Sequence, residues 1–143
     1  MGISSENPGQ SRMEASAAQF SRSPAATEIA AVHHECVTIF FSDICGFSSW
    51  SHSISPEVVM RTLNNLYTRL DQIILTEMPS LYKVETIGDA YLVASNLFEP
   101  DSQHAATMVR FALRARQEAA KVLRPDTDDG STLRMRMGEI LRV

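Results

Sequence analysis

The sequence predicts an α+β sandwich in which two helices lie over a mainly antiparallel sheet. Three observations predict it. A short apolar run occupies residues 36–41, two strand-like runs are joined by Gly88-Asp89 alone, and a single-striped helical stretch stands on each side of that pair. The resulting order is strand, helix, hairpin, helix, strand. At 143 residues and 44% hydrophobic, the chain supports one domain of ordinary size.

The first strand is Cys36-Val37-Thr38-Ile39-Phe40-Phe41, a nearly continuous apolar run that suits a strand buried on both faces. Ser42-Asp43-Ile44-Cys45-Gly46-Phe47 follows, so a carboxylate and a glycine are expected just past the strand's carboxyl end. Ser55-Pro56-Glu57 reads as a helix start, with a capping hydroxyl, a preset φ and an acidic first turn. Val59, Leu63, Leu66, Leu70 and Ile73 then form one apolar stripe, and the helix is expected to reach about Met78, ahead of Pro79.

Residues 82–87 and 90–94 are the hairpin strands. Glycine at the first turn position predicts a type II′ turn with Asp89 at its tip. A second helix is expected from Ser102 to about Leu123, with Ala105, Met108, Ala112, Ala115, Ala119 and Val122 on its stripe. A turn-rich loop covers residues 125–131, and Leu133-Arg134-Met135-Arg136-Met137 alternates as a half-exposed strand does. Residues 1–34, rich in Ser, Ala and Gln with no apolar period, read as a flexible, disordered tail, and the folded domain as residues 35–143.

A formal net charge of -4 and an acidic pI near 5.5 argue against a nucleic-acid-binding surface. No stretch has the roughly 18 apolar residues of a membrane-spanning helix, and the start lacks the layout of a secretory signal. Cys36 and Cys45 read as free thiols, which suits a cytoplasmic setting. His33 and His34 read as solvated, His104 as a surface or capping residue, and Arg110, Arg114, Arg116, Lys121 and Arg124 as a solvated basic face. Trp50 and Phe47 read as core or interface residues.

Two aspartates carry the strongest chemical signal. If the strands bearing Asp43 and Asp89 lie side by side, both carboxylates enter one mouth of the sheet. There they could hold two Mg²⁺ or Mn²⁺ ions, though the spacing alone better suits two ordinary turn aspartates. The backbone amides of Ile44-Cys45-Gly46-Phe47-Ser48 could cradle phosphates if the segment turns into a helix. An ordinary turn fits that feature as well.

Val37-Thr38-Ile39-Phe40-Phe41-Ser42-Asp43-Ile44-Cys45-Gly46-Phe47 resembles the opening metal-binding motif of class III adenylate and guanylate cyclases. Tyr82-Lys83-Val84-Glu85-Thr86-Ile87-Gly88-Asp89-Ala90-Tyr91 resembles that family's second motif in its guanylate cyclase wording. The resemblance implies a ferredoxin-like core and active sites formed between two catalytic domains, in a homo- or heterodimer. It implies that Asp43 and Asp89 bind two Mg²⁺ or Mn²⁺ ions, assisted by the Ile44 carbonyl, and that the amides of Cys45, Gly46, Phe47 and Ser48 hold the phosphates. The implied reaction converts GTP to 3′,5′-cyclic GMP and pyrophosphate.

Glu85 is the implied base reader. Guanine N1–H and its 2-amino group are adjacent donors that one carboxylate accepts together, whereas adenine N1 is an acceptor. The bland reading of Glu85 is a solvated strand charge beside Lys83. Family members continue beyond the strand near Met137 with a Gly-rich segment and a later Asn…Arg pair. Here Met135-Arg136-Met137-Gly138 opens that pattern and Glu139-Ile140-Leu141-Arg142-Val143 departs from it. The expectation is therefore the N-terminal part of a catalytic domain, with an uncovered sheet face, low stability and no activity as its own homodimer. The alternative is a non-catalytic or metal-lending partner in a heterodimeric cyclase.

Overall fold

The computed structural model describes residues 33–34 and 36–142, with side chains described as far as Gly138. The tail expected over residues 1–34 falls, apart from His33 and His34, outside the described residues. From His34 onward the chain forms one compact unit. Its elements are β1 (Val37–Ile44), α1 (Phe47–Ser51), α2 (Pro56–Gln72), a π-helical turn (Ile73–Glu77), β2 (Tyr82–Ile87), β3 (Ala90–Ser95), α3 (His104–Ala119) and β4 (Met135–Arg142). The sheet order is β2-β3-β1-β4 with every pairing antiparallel, which is the split, ferredoxin-like α+β topology. This is the fold class that the sequence predicts.

β1 differs from its expected burial. It alternates, with Phe40 fully buried and Phe41 46% exposed, so only one face meets the helices. The chain places both long helices, α2 and α3, on that single face, and a continuous apolar run reads the same whichever face is covered. On the helix side Phe40, Ile44, Tyr91 and Val93 pack with Leu66, Leu70, Met108 and Phe111. Phe40 meets Phe111 edge-to-face at 5.1 Å between centroids. The other face carries exposed Ile39, Phe41 and Tyr82, and no helix covers it among the described residues. Phe40→Leu is expected to cost up to about 1.5 kcal/mol of unfolding free energy. Phe41→Leu should stay within about 0.5 kcal/mol. Equal losses in denaturant titration would contradict one-sided burial.

Four further details differ from expectation. β1 runs through Ile44, so Asp43 lies in the strand rather than past it, because β4 pairs along its whole length. The Ser55 hydroxyl caps nothing; its carbonyl instead accepts the amides of Val58 and Val59 at 3.0 and 3.1 Å. α2 ends at Gln72 and widens into the π-helical turn, closed by Met78 N–H on the Ile73 carbonyl at 3.0 Å. That wider turn lets the adjacent Ile73 and Ile74 both be buried. α3 begins at His104 rather than Ser102, since Asp101 organises its entry: its carboxylate accepts from Gln103 N–H at 2.7 Å and the Thr107 hydroxyl at 2.9 Å.

The hairpin forms as expected. Gly88 has φ +59° and Asp89 does not share the positive φ, which fits type II′ and not type I′. An irregularity at Val84, between Lys83 and Glu85, makes β2 bulge at the sheet edge.

Candidate active site

The register of β1 on β3 builds the site. Ser42 lies opposite Tyr91, so the end of β1 stands beside the hairpin tip, and Ile44 N–H donates to Asp89 Oδ2 at 3.0 Å. Asp43, one residue earlier, points to the open face. Both carboxylates line a cleft of about 400 Å³ together with Ile44, Gly46, Phe47, Ser48, Ser49 and Arg136. The conditional expectation, two carboxylates in one mouth, is the arrangement found.

The phosphate-cradle segment divides. Cys45 N–H donates to the Arg134 carbonyl at 2.8 Å, continuing the link between β1 and the approach to β4. Its amide is therefore engaged within the chain, unlike the role implied for it. Gly46 adopts φ +71° as the N-cap of α1, a conformation that glycine takes without the Cβ penalty. This turns the chain so that the amides of Gly46, Phe47 and Ser48 open the short helix beside the two aspartates.

Arg136 is a site residue that the sequence reading missed. Its guanidinium grips Asp43 in a fork, Nε to Oδ1 at 2.7 Å and Nη2 to Oδ2 at 3.0 Å, and the Asp43 carboxylate raises the guanidinium pKa further. The contact follows from the β1–β4 register, which sets Asp43 opposite Arg136. The only sequence signal was alternation in residues 133–137, which marks Arg136 as outward-facing without naming its partner.

Glu85 is exposed, and its register partner Leu92 lies opposite Phe41, so Glu85 shares the open face with Asp43. Two strand spacings across and two residues along separate them by about 12 Å. That is the scale of a nucleotide, not of one ion.

Among the described residues no three His, Cys, Asp or Glu side chains gather as a metal-binding group. The two carboxylates nevertheless fit a hard divalent ion. Mg²⁺ typically takes one or two protein carboxylates and fills its remaining positions with water and substrate phosphates. Asp43 offers oxygens to such an ion only in competition with Arg136, and both Asp89 and the Gly46–Ser48 amides stand at the same cleft.

Carboxylates, a guanidinium and helix-opening amides thus share one cleft at the end of a ferredoxin-like sheet. The chain belongs to the adenylate and guanylate cyclase catalytic domain family, whose model matches residues 29–139. It is 37% identical to rat guanylate cyclase soluble subunit beta-2 over 111 residues, covering 78% of this chain and 16% of that protein. It is 43% identical to dog guanylate cyclase soluble subunit alpha-1 over 102 residues, covering 71% of this chain and 14% of that protein.

Among solved structures, the guanylate cyclase domain of RhGC from Catenaria anguillulae in complex with GTP matches with TM-score 0.69 and 37% identity. That match covers 78% of this chain and 59% of the other. A dimeric guanylyl cyclase domain of the RhoGC fusion protein from Blastocladiella emersonii matches with TM-score 0.68 and 34% identity, covering 78% and 60%. The chain thus spans about one-seventh to one-sixth of the length of these two curated relatives, and about three-fifths of these solved domains. No described helix is long and apolar enough to cross a membrane.

Proposed function

We propose that this chain supplies the metal- and triphosphate-binding part of a guanylate cyclase catalytic unit that works with a second catalytic domain and converts GTP to 3′,5′-cyclic GMP and pyrophosphate. The observation that carries the reading is the meeting of Asp43 and Asp89 in one cleft, fixed by the Ile44 N–H on Asp89.

In this reading Asp43, Asp89 and the Ile44 carbonyl hold two Mg²⁺ or Mn²⁺ ions. Such ions, when bound, lower the pKa of the ribose 3′-hydroxyl and neutralise the leaving pyrophosphate. The chain's own groups do the rest. Gly46, Phe47 and Ser48 direct amides at the phosphates, whereas the engaged Cys45 amide shapes the turn. Arg136, beside the same cleft, leaves Asp43 for the polyphosphate or shares it with the incoming cation. Glu85 accepts from guanine N1–H and the 2-amino group. The setting proposed for this unit is cytoplasmic.

The second reading is a non-catalytic or metal-lending partner subunit of a heterodimeric cyclase, and the naming of two relatives as subunits suits a partner role. Both readings are tested by mixing the chain with a guanylate cyclase catalytic domain whose own metal-binding aspartates are replaced. Restored cyclic GMP formation that depends on Asp43 is the expected result. No restoration in Mn²⁺ and GTP would leave the chain without a catalytic role.

Arg136→Gln is expected to tighten Mn²⁺ binding at low salt by up to about fivefold, the scale of one exposed ion pair. Unchanged or weaker Mn²⁺ binding in a calorimetric titration would show that Arg136 does not compete for Asp43.

A further inference from the structure

The hairpin tip that carries Asp89 is held from outside the hairpin by two hydrogen bonds among the described residues. Asp89 Oδ2 accepts from Ile44 N–H at 3.0 Å, and the Gly88 carbonyl accepts from the Tyr67 hydroxyl at 2.8 Å. Little else surrounds the tip. Ile87 is 60% exposed, and a Cβ built on Gly88 would meet nothing within 4 Å. Without those two bonds, so lightly packed a two-residue turn would be free to rock about the ends of its strands.

The Gly88 carbonyl and Asp89 N–H belong to one planar peptide unit. Anchoring that oxygen therefore fixes the direction in which Asp89 leaves the turn. Tyr67 is itself firmly seated. Its ring lies tilted against Tyr91 at 5.5 Å between centroids, and the Tyr91 hydroxyl donates to Asp71 Oδ1 at 2.5 Å. Asp71 stands one helical turn after Tyr67 on the same face of α2, and it takes Lys83 Nζ at 2.7 and 2.9 Å. α2 thus grips the hairpin at Lys83 and Tyr91 through Asp71, and at its tip through Tyr67.

We propose that Tyr67 is a positioning residue for Asp89, setting the tilt of the hairpin tip against the end of β1 through the Gly88 carbonyl. The inference rests on the reading above that Asp89 holds a divalent ion. Burial, and secondarily the Asp89 charge, pushes the Tyr67 phenol up to about 12, so the hydroxyl remains a donor at physiological pH.

The test uses the full 143-residue chain in four forms: unaltered, Asp89→Asn, Tyr67→Phe and Tyr91→Phe. Mn²⁺ binding is followed by the electron paramagnetic resonance of the free ion, and the Ile44 amide by nuclear magnetic resonance without metal. Tyr67→Phe is expected to weaken Mn²⁺ binding by up to about tenfold, the lower end of the scale for groups bonded directly to a metal ligand because Tyr67 acts through the Gly88 carbonyl, and to speed Ile44 amide exchange. Tyr91→Phe keeps the ring that packs on Tyr67 and leaves the Tyr67–Gly88 hydrogen bond in place, so it should change both readouts far less. Equal effects of the two variants, or none from Tyr67→Phe, would overturn the proposal. If the unaltered chain shows no Asp89-dependent Mn²⁺ binding, the metal reading fails, and the amide exchange still decides whether Tyr67 positions the tip.

Discussion

Asp43→Asn is expected to lower cyclic GMP formation in the mixed assembly by at least about a thousandfold, or about 4 kcal/mol of transition-state stabilisation. The substitution keeps the volume and one acceptor oxygen but removes the charge that a hard cation requires. Its effect on folding should be small. Asp43 lies on the open sheet face, and its described partner is the exposed guanidinium of Arg136. Exposed pairs of this kind contribute little to stability. The expected signature is therefore lost activity with an unchanged melting transition. Activity within tenfold of the unaltered chain would remove Asp43 from the machinery. A parallel loss of folding would instead give it a structural role.

The second large effect concerns the base. Glu85→Lys is expected to reduce GTP turnover by about a hundredfold to ten-thousandfold in kcat/KM. The two charge-assisted hydrogen bonds proposed to guanine, each worth about 1.5–3 kcal/mol, would disappear, and the ammonium would meet donors where the carboxylate is proposed to accept. Glu85 is exposed on the edge strand β2, where a lysine is well tolerated, so folding should not change. Kinetics with GTP and ATP on the same preparation check this. Retained GTP preference would return Glu85 to the reading of a solvated strand charge beside Lys83.

The fold class was legible because each element carries its own signal. The Gly88-Asp89 pair marks its hairpin, and the Leu63–Leu66–Leu70 spacing marks its helix, with all three leucines buried as expected. What resisted reading depends on neighbours distant in sequence. Phe40 and Phe41 are chemically alike, and only the placement of both helices on one face makes the first buried and the second exposed. Phe111, fully buried at the centre of the core, lay outside the expected alanine-rich stripe of α3 because that stripe follows local period rather than the partner surface.

The site shows the same division. Asp43 and Asp89 could be placed at strand end and hairpin tip from local pattern, and the β1–β3 register brings them together. Arg136 could not be placed, since its pairing with Asp43 spans 93 residues and depends on the β1–β4 register. Family resemblance directs the Cys45 amide at phosphate, yet its partner here is the Arg134 carbonyl, a contact that no sequence spacing encodes.

The most direct measurement is anomalous X-ray diffraction from crystals of the chain grown with Mn²⁺ and a non-cyclisable GTP analogue, together with its partner domain where the chain alone does not crystallise. The expected result is manganese within bonding distance of both Asp43 and Asp89, with Arg136 displaced from Asp43. A nucleotide bound with no manganese at either carboxylate, and Arg136 still gripping Asp43, would contradict the assignment of this cleft as the cyclase metal site.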